Sequence, residues 1–358
     1  MPHVSGQIRP AWNAISQADF RNSLKQLNNL HDLATFWNIP PSQLSYYAFR
    51  IDKKSAYHTF SIPRRNGRQR VIETPSPTLK YIQRLIHESL TRVYGPHPAV
   101  HGFRTGRSIV SNAKEHTGRQ YVLNLDLEDF FPSITRKRIY GRLVALPYEL
   151  RPSVANLIAS LATDAYLKLP QGSPSSPIIA NILAAELDAD LARLCGALHC
   201  TYTRYADDIT ISTLRHSISP DLGRYPHAAG TGQVIIGDKL RTTIERHGFK
   251  INDRKSRLHS YWTRQICTGL VVNNSNAVTP PRSYIRRLRA LVDNWAKHGW
   301  QHAAQTLHDE ERRPLFSDRE QLINHVHGRI AYLRMVRGAN DGVSARLEQK
   351  VVALPAGY

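Results

Sequence analysis

Three aspartates in this 358-residue chain stand where a β-strand is ordinarily apolar. Asp207 and Asp208 lie side by side in TRYADDITIS (203–212), whose Tyr205, Ile209 and Ile211 read as packing positions of a hairpin. Asp126 interrupts YVLNLDLEDFFPSI (121–134), 81 residues before Asp207. A single aspartate of this kind usually marks a strand end or turn, where its side chain bonds its own backbone. Two such places in one basic chain shift that reading. Three carboxylates on adjacent strands would repel one another unless a divalent cation held them. Hard oxygen ligands suit Mg²⁺, which takes few protein carboxylates and completes its shell with water and substrate phosphates. Two such ions about 4 Å apart can activate an attacking hydroxyl and stabilise a leaving pyrophosphate. The expected cofactor is two Mg²⁺ ions, and the expected chemistry is nucleotidyl transfer.

The elements that must position these residues follow from the apolar spacing. SQADFRNSLKQLNNLHDLATFWNI carries Phe20, Leu24, Leu27, Leu30, Leu33 and Phe36 at helical spacing, ended by Pro40-Pro41. YHTFSIP and RQRVIETP read as two strands joined at RRNGR, and LKYIQRLIHESLTRVY as a helix. A strand is expected around 121–134, helices over 136–166 and 176–196, and the acidic hairpin over 200–213. Segment 214–233 reads as a surface insertion, 234–248 as a helix and GFKINDRKSRLHS as a strand pair. From Pro280 the chain is helical again, with Ile285, Leu288, Leu291, Val292 and Trp295 on one face.

Composition bounds the rest. Lys and Arg number 48 against 28 Asp and Glu, a net charge of +20. The bases are spread along the chain, which fits a long polyanionic partner whose counterions they displace. No apolar run reaches the ~18 residues of a membrane span, and MPHVSGQIRPAWNAIS lacks the apolar core of a secretory signal. Neither a membrane partner nor export is expected. Cys195, Cys200 and Cys267 are odd in number and form no CxxC pair, so a reducing, cytoplasmic setting is the default.

The motifs resemble, in order from about residue 55 to 275, those of a reverse transcriptase. LDLEDFFPSI resembles motif A, LPQGSPSSPIIANILAAELD (169–188) motif B and YADD motif C. GFKINDRKSRLHS resembles motif D and ICTGLVVN the motif E region, while IPRRNGRQRVIETPSPTLKYIQRLI resembles the fingers motif that grips a triphosphate. The resemblance implies an α+β right-hand polymerase: an N-terminal helical extension (1–50), fingers and palm (51–275) with an antiparallel sheet packed on helices, and a helical thumb (276–358). It implies RNA-directed DNA polymerase activity, with Asp126 and Asp207 binding both metal ions, Asp208 more peripheral and the Leu127 carbonyl adding an oxygen. Phe131 falls at the aromatic gate against a ribose 2′-OH, a core phenylalanine being the alternative. Arg64 or Arg65, with Arg70, would hold the phosphates of a dNTP, since guanidinium offers them a fixed fork of donors. Gln171 and Gly172 would lie against the nucleotide, and Lys255 would protonate the departing pyrophosphate as a general acid.

Two further matches resemble the retron reverse transcriptases. Asn112-Ala113-Lys114-Glu115-His116 fits their NAxxH pattern, and Cys267-Thr268-Gly269 stands where they show Val-Thr-Gly, departing at the first position. The resemblance implies a cognate structured noncoding RNA (msr-msd), priming from a guanosine 2′-OH, and a multicopy single-stranded DNA (msDNA) product. It further implies a role in antiphage defence with an effector or toxin protein. Asn112, His116, Thr268 and Gly269 would then contact RNA, and Arg282, Arg286, Arg287 and Arg289 would grip an RNA stem-loop. The alternatives are another stand-alone bacterial enzyme, diversity-generating or group II intron-like, and an inactive RNA-binding scaffold.

Overall fold

A computed structural model describes residues 15–63, 69–226, 233–311 and 315–354. The N-terminal region holds α1 (Gln17–Gln26), α2 (Leu30–Trp37) and α3 (Pro41–Ser45), the last running into a π-helical turn, Tyr46–Arg50. The expected single helical run is thus broken, because Asn29 takes the Asp32 N–H and caps a new helix. Pro41 starts α3 in addition to ending the region before it, since a proline fits the first turn of a helix.

The hairpin β1 (Tyr57–Pro63) and β2 (Gln69–Pro75) leads to α4 (Pro77–Val93) and the short α5 (Ile109–Lys114). Strand β3 (Tyr121–Glu128) precedes α6 (Arg136–Val144), α7 (Pro152–Ala162) and α8 (Ser176–Ala197). A tight hairpin follows, β4 (Thr201–Tyr205) and β5 (Asp208–Thr213). The expected insertion contains β6 (Gly223–Arg224), which pairs antiparallel with β7 (Ile235–Ile236) just beyond it, so α9 (Asp238–Arg246) starts later than its apolar spacing suggests. Then come β8 (Lys250–Ile251), β9 (Arg257–Ser260), β10 (Ile266–Cys267) and β11 (Leu270–Val271). The chain closes with α10 (Arg282–Glu311), bent at Gly299, α11 (Arg319–Arg337) and α12 (Gly342–Val352).

One antiparallel sheet carries the acidic residues. Its order is β4-β5-β3, and the far side of β3 is shared by β9 over Tyr121–Asn124 and β8 over Leu127–Glu128. Helix α8 packs on α4, α6, α9 and β4. It is apolar around most of its girth, with Ile178, Ile179, Ile182, Leu187 and Leu191 all buried, as a helix at the centre of a core must be. Phe20, Leu24, Leu33 and Trp37 of the N-terminal helices belong to this same core. Leu288, Val292, Trp295, Leu322, Val326 and Ile330 build a second core within α10–α12. A small cluster including Val122, Cys267, Leu270 and Val336 bridges the two.

Candidate active site

The antiparallel register sets Asp126 directly opposite Asp208. Asp207 lies in the two-residue turn between β4 and β5, and its carbonyl accepts from the Leu127 N–H at 3.0 Å. All three expected acidic residues therefore meet at one end of the sheet. Asp208 keeps an accessible surface, yet the protein crowding its carboxyl, followed by the charges of Asp207 and Asp126, pushes its pKa up to about 7. Lys255 acts the other way. Its ammonium donates to both oxygens of Asp126 at 2.8 Å, so a cationic group already stands against that carboxylate. Among the described residues no group of three or more His, Cys, Asp or Glu side chains is arranged to hold a metal ion as it stands. The chemistry of the donor set nonetheless suits a hard divalent cation: three carboxylates converge, and burial followed by the charges of its two neighbours raises the pKa of Asp208.

The turn is held from behind by residues that the motif spacing did not single out. Ala206 sits at φ 58°, in the left-handed region that costs a non-glycine residue roughly 1–2 kcal/mol. Arg204 is fully buried and donates through Nη1 to the Ala206 carbonyl at 3.0 Å. Its Nε and Nη2 grip both carboxylate oxygens of the equally buried Asp188, each at 2.7 Å. Burial works against the guanidinium charge, but Asp188 outweighs it and holds Arg204 above its ordinary pKa. Tyr202 adds a 2.7 Å hydrogen bond to Asp188. Asn181 links Arg204 to the Gly102 carbonyl, accepting at 3.2 Å and donating at 3.0 Å. Gly102 itself lies so close that a Cβ would stand 2.4 Å from the Ala206 nitrogen. The sequence hints at this only through Arg204, a charged residue two positions after Tyr202 in a short strand; that Asp188 of α8 faces it comes from the fold.

The residues expected around a nucleotide separate into three cases. Phe130 is the core ring, packed on Phe249 at 5.4 Å between centroids. That leaves Phe131 half-buried beside Phe103, at 6.1 Å. Gly172 has φ 131°, and a Cβ there would meet the Glu73 carbonyl at 2.5 Å. The close approach its lack of a side chain permits is thus to β2 of the β1–β2 hairpin, where the Glu73 N–H donates to the Gln171 carbonyl at 2.9 Å. Arg64 and Arg65 lie outside the described residues, as does the side chain of Arg70, whose backbone belongs to β2.

The expected RNA contacts are divided. Arg282, Arg286, Arg287 and Arg289 are all exposed on α10, while Leu288, Leu291 and Val292 between and beyond them are buried. Gly269 is exposed, and Thr268 donates to the Ile109 carbonyl at 3.1 Å. The expectation that Asn112 and His116 touch RNA is corrected. Both are buried, because α5 lies against β10, β11 and β4 and turns them inward. Asn112 donates to Cys267 Sγ at 3.2 Å, so the two pattern matches meet each other in the core. His116 is fitted between Ser212 and Thr203 hydroxyls, at 2.7 Å each. Burial, then Arg119 and His101, hold its imidazole down at about 3.

Comparison with known proteins places this geometry. Residues 51–285 match the family model described as "Reverse transcriptase (RNA-dependent DNA polymerase)". The Retron Mx162 reverse transcriptase of Myxococcus xanthus is 35% identical over 300 residues, covering 77% of this chain and 60% of that protein. The Retron Mx65 reverse transcriptase of the same organism is 31% identical, over 85% of this chain and 67% of that protein. The Retron Ec73 reverse transcriptase of Escherichia coli is 33% identical, over 64% of this chain and 73% of that protein. The chain thus spans 60% of the length of the first of these relatives.

Proposed function

The chain belongs to the reverse transcriptase family and, within it, to the retron reverse transcriptases, and from that premise we propose that it is an RNA-directed DNA polymerase acting on a cognate structured noncoding RNA. The reaction begins at the 2′-OH of a guanosine in that RNA and copies part of the same transcript into msDNA, as one component of an antiphage defence system with an effector protein. The observation that carries this reading is the register of Asp126 against Asp208, beside the turn that holds Asp207.

Asp126, Asp207 and Asp208 would hold two Mg²⁺ ions, with the Leu127 carbonyl close by on β3. Such ions lower the pKa of an attacking hydroxyl and offset charge on leaving pyrophosphate oxygens. The chain's own residues do the remaining work. Phe131 offers its half-exposed ring edge to the sugar of the incoming dNTP and excludes a 2′-OH. Gln171 and Gly172 form a floor locked to the fingers hairpin by the Glu73 hydrogen bond. Arg70, with Arg64 or Arg65, draws the triphosphate to the same hairpin. Lys255 exchanges its Asp126 partner for the departing pyrophosphate and gives it a proton. The exposed arginines of α10 grip the RNA by backbone and shape, the features a folded RNA presents to protein.

Asp207→Ala/Asp208→Ala tests the reading. DNA synthesis in Mg²⁺ should vanish while RNA binding remains, and persistent synthesis would refute the assignment. Sequencing the nucleic acid that copurifies with the wild-type protein tests the retron part. A branched RNA–DNA molecule is expected, and linear cDNA of unrelated transcripts would overturn it.

A further inference from the structure

At the end of the sheet away from the carboxylates, the chain presents aromatic rings to solvent. Trp262 is 90% exposed and Tyr261 43%. The two rings meet edge to face with centroids 5.7 Å apart. An indole left in water gives up the burial that a core would supply, so its position calls for a partner.

The turn that carries the rings is pinned. Thr263 donates to the Ser260 carbonyl through both N–H and hydroxyl, at 3.0 and 2.9 Å. Asn273 Nδ2 donates to the carbonyls of Tyr261 and Thr263, at 3.0 and 2.7 Å, and its Oδ1 accepts from the Gln265 N–H at 2.8 Å. Tyr261 N–H donates to the Gln120 carbonyl at 2.7 Å. A turn whose backbone is held this way needs little further ordering when a partner arrives, which favours binding.

Location and charge identify the partner. Ser260 pairs with Tyr121, the first residue of β3, five positions before Asp126. At about 3.4 Å per residue the rings stand roughly 17 Å or more from the carboxylates, too far to touch a nucleotide being added. Residues 254–292, within which the turn lies, contain eight Lys and Arg and no Asp or Glu. Arg264, next to the turn, is exposed. Aromatic faces beside guanidinium suit unpaired bases and their phosphates, whereas the bases of a duplex are hidden within its stack.

We propose that Tyr261, Trp262 and Arg264 form a stacking platform for an unpaired segment of nucleic acid, separate from the polymerase centre. The proposal rests on the reading of the chain as a nucleic-acid polymerase, and it places a second hold on template or product behind the palm. Binding of labelled oligouridylate and oligodeoxythymidylate to the full chain tests it, with a blunt-ended duplex as control. Tyr261→Ala/Trp262→Ala should weaken single-strand binding about tenfold or more, and Trp262→Phe should keep most of it, as base–aromatic stacking requires. Thermal unfolding should not change, because both side chains are outside the core. Extension of a short preannealed primer–template should also be unchanged, which separates this outcome from failure of the polymerase assignment. That assignment fails if wild-type protein extends nothing; the platform fails if single-strand affinity is equal in wild type and double variant, or if only duplex binding falls.

Discussion

The turn between β4 and β5 has two acidic sides, and the protein treats them in opposite ways. Behind the turn, Asp188 is removed from water and matched by Arg204 through two 2.7 Å hydrogen bonds. In front of it, Asp126, Asp207 and Asp208 are set close together with Lys255 as their nearby cation, itself half exposed. The first arrangement is complete within the chain and gives rigidity. The second sets like charges beside one another, and burial with the charges of Asp207 and Asp126 raises the pKa of Asp208. The proposed metal site would need both, because it can be precise only if the backbone behind it does not yield.

The comparison is sharpened most by removing charge in front. Asp126→Ala should lower DNA synthesis by about a thousandfold or more, since ion-mediated stabilisation is worth several kcal/mol and each 1.36 kcal/mol is tenfold. Asp208→Asn should also cost activity but raise Tm by about 1–2 °C, as expected when about 1 kcal/mol of repulsion is relieved in a chain of this size. A lower Tm would break the contrast. Primer extension and thermal unfolding read the two effects.

Removing charge behind the turn should do the reverse. Arg204→Met leaves Asp188 buried without a partner and should destabilise the protein by about 3–5 kcal/mol. Arg204→Met/Asp188→Leu should recover most of that loss in denaturant midpoint, because an apolar pair avoids desolvating two charges. It still leaves the Ala206 carbonyl without its donor, so kcat should remain low while the KM for dNTP stays near wild type. Recovery of kcat along with stability would show that the hydrogen bond to the turn is dispensable.

Lys255 joins the two questions. Lys255→Met should slow the chemical step by about a hundredfold, the lower range for loss of a general acid. Single-turnover rates measure this, and an unchanged rate would reduce Lys255 to a charge partner of Asp126.

The smallest effect concerns His116. Its pKa is lowered to about 3 in the fold from the ordinary 6.5, by burial first, and that of His101 is lowered to about 4 in the same direction. Both must gain a proton on unfolding below pH 6.5, so their neutral burial favours the fold above that pH. The stability is lost as pH falls from about 6.5 toward about 3. Urea midpoints should therefore fall between about pH 7 and about pH 5, and His116→Gln should shrink the decline by an amount on the order of 1 kcal/mol. An equal decline in wild type and variant would mean that other groups set the acid limit.

What could be read from the residues alone was local. The alternation of Tyr205, Ile209 and Ile211 around two aspartates predicts the hairpin, and the leucines of α10 predict which of its arginines face water. Helix limits are less legible where a cap such as Asn29 or a short pairing such as β6 with β7 interrupts an apolar period. The NAxxH residues show the limit, because a polar pattern on a short helix carries no sign of which way it faces. Asn112 and His116 point inward only because α5 is pressed against strands more than 80 residues away in sequence, at β4, β10 and β11.

The sequence by itself determined the reactive groups: three aspartates in strand contexts, an excess of positive charge and an order of motifs that names the family. Tertiary structure alone decided the register that sets Asp126 against Asp208, the burial that turns Arg204 into a support for Ala206, and the pinned turn that holds Trp262 in water. The physical reason is the same in each case. A side chain's charge is fixed by its type, but its effect depends on the dielectric around it and the partners within a few ångströms, and both come from segments far apart in the chain.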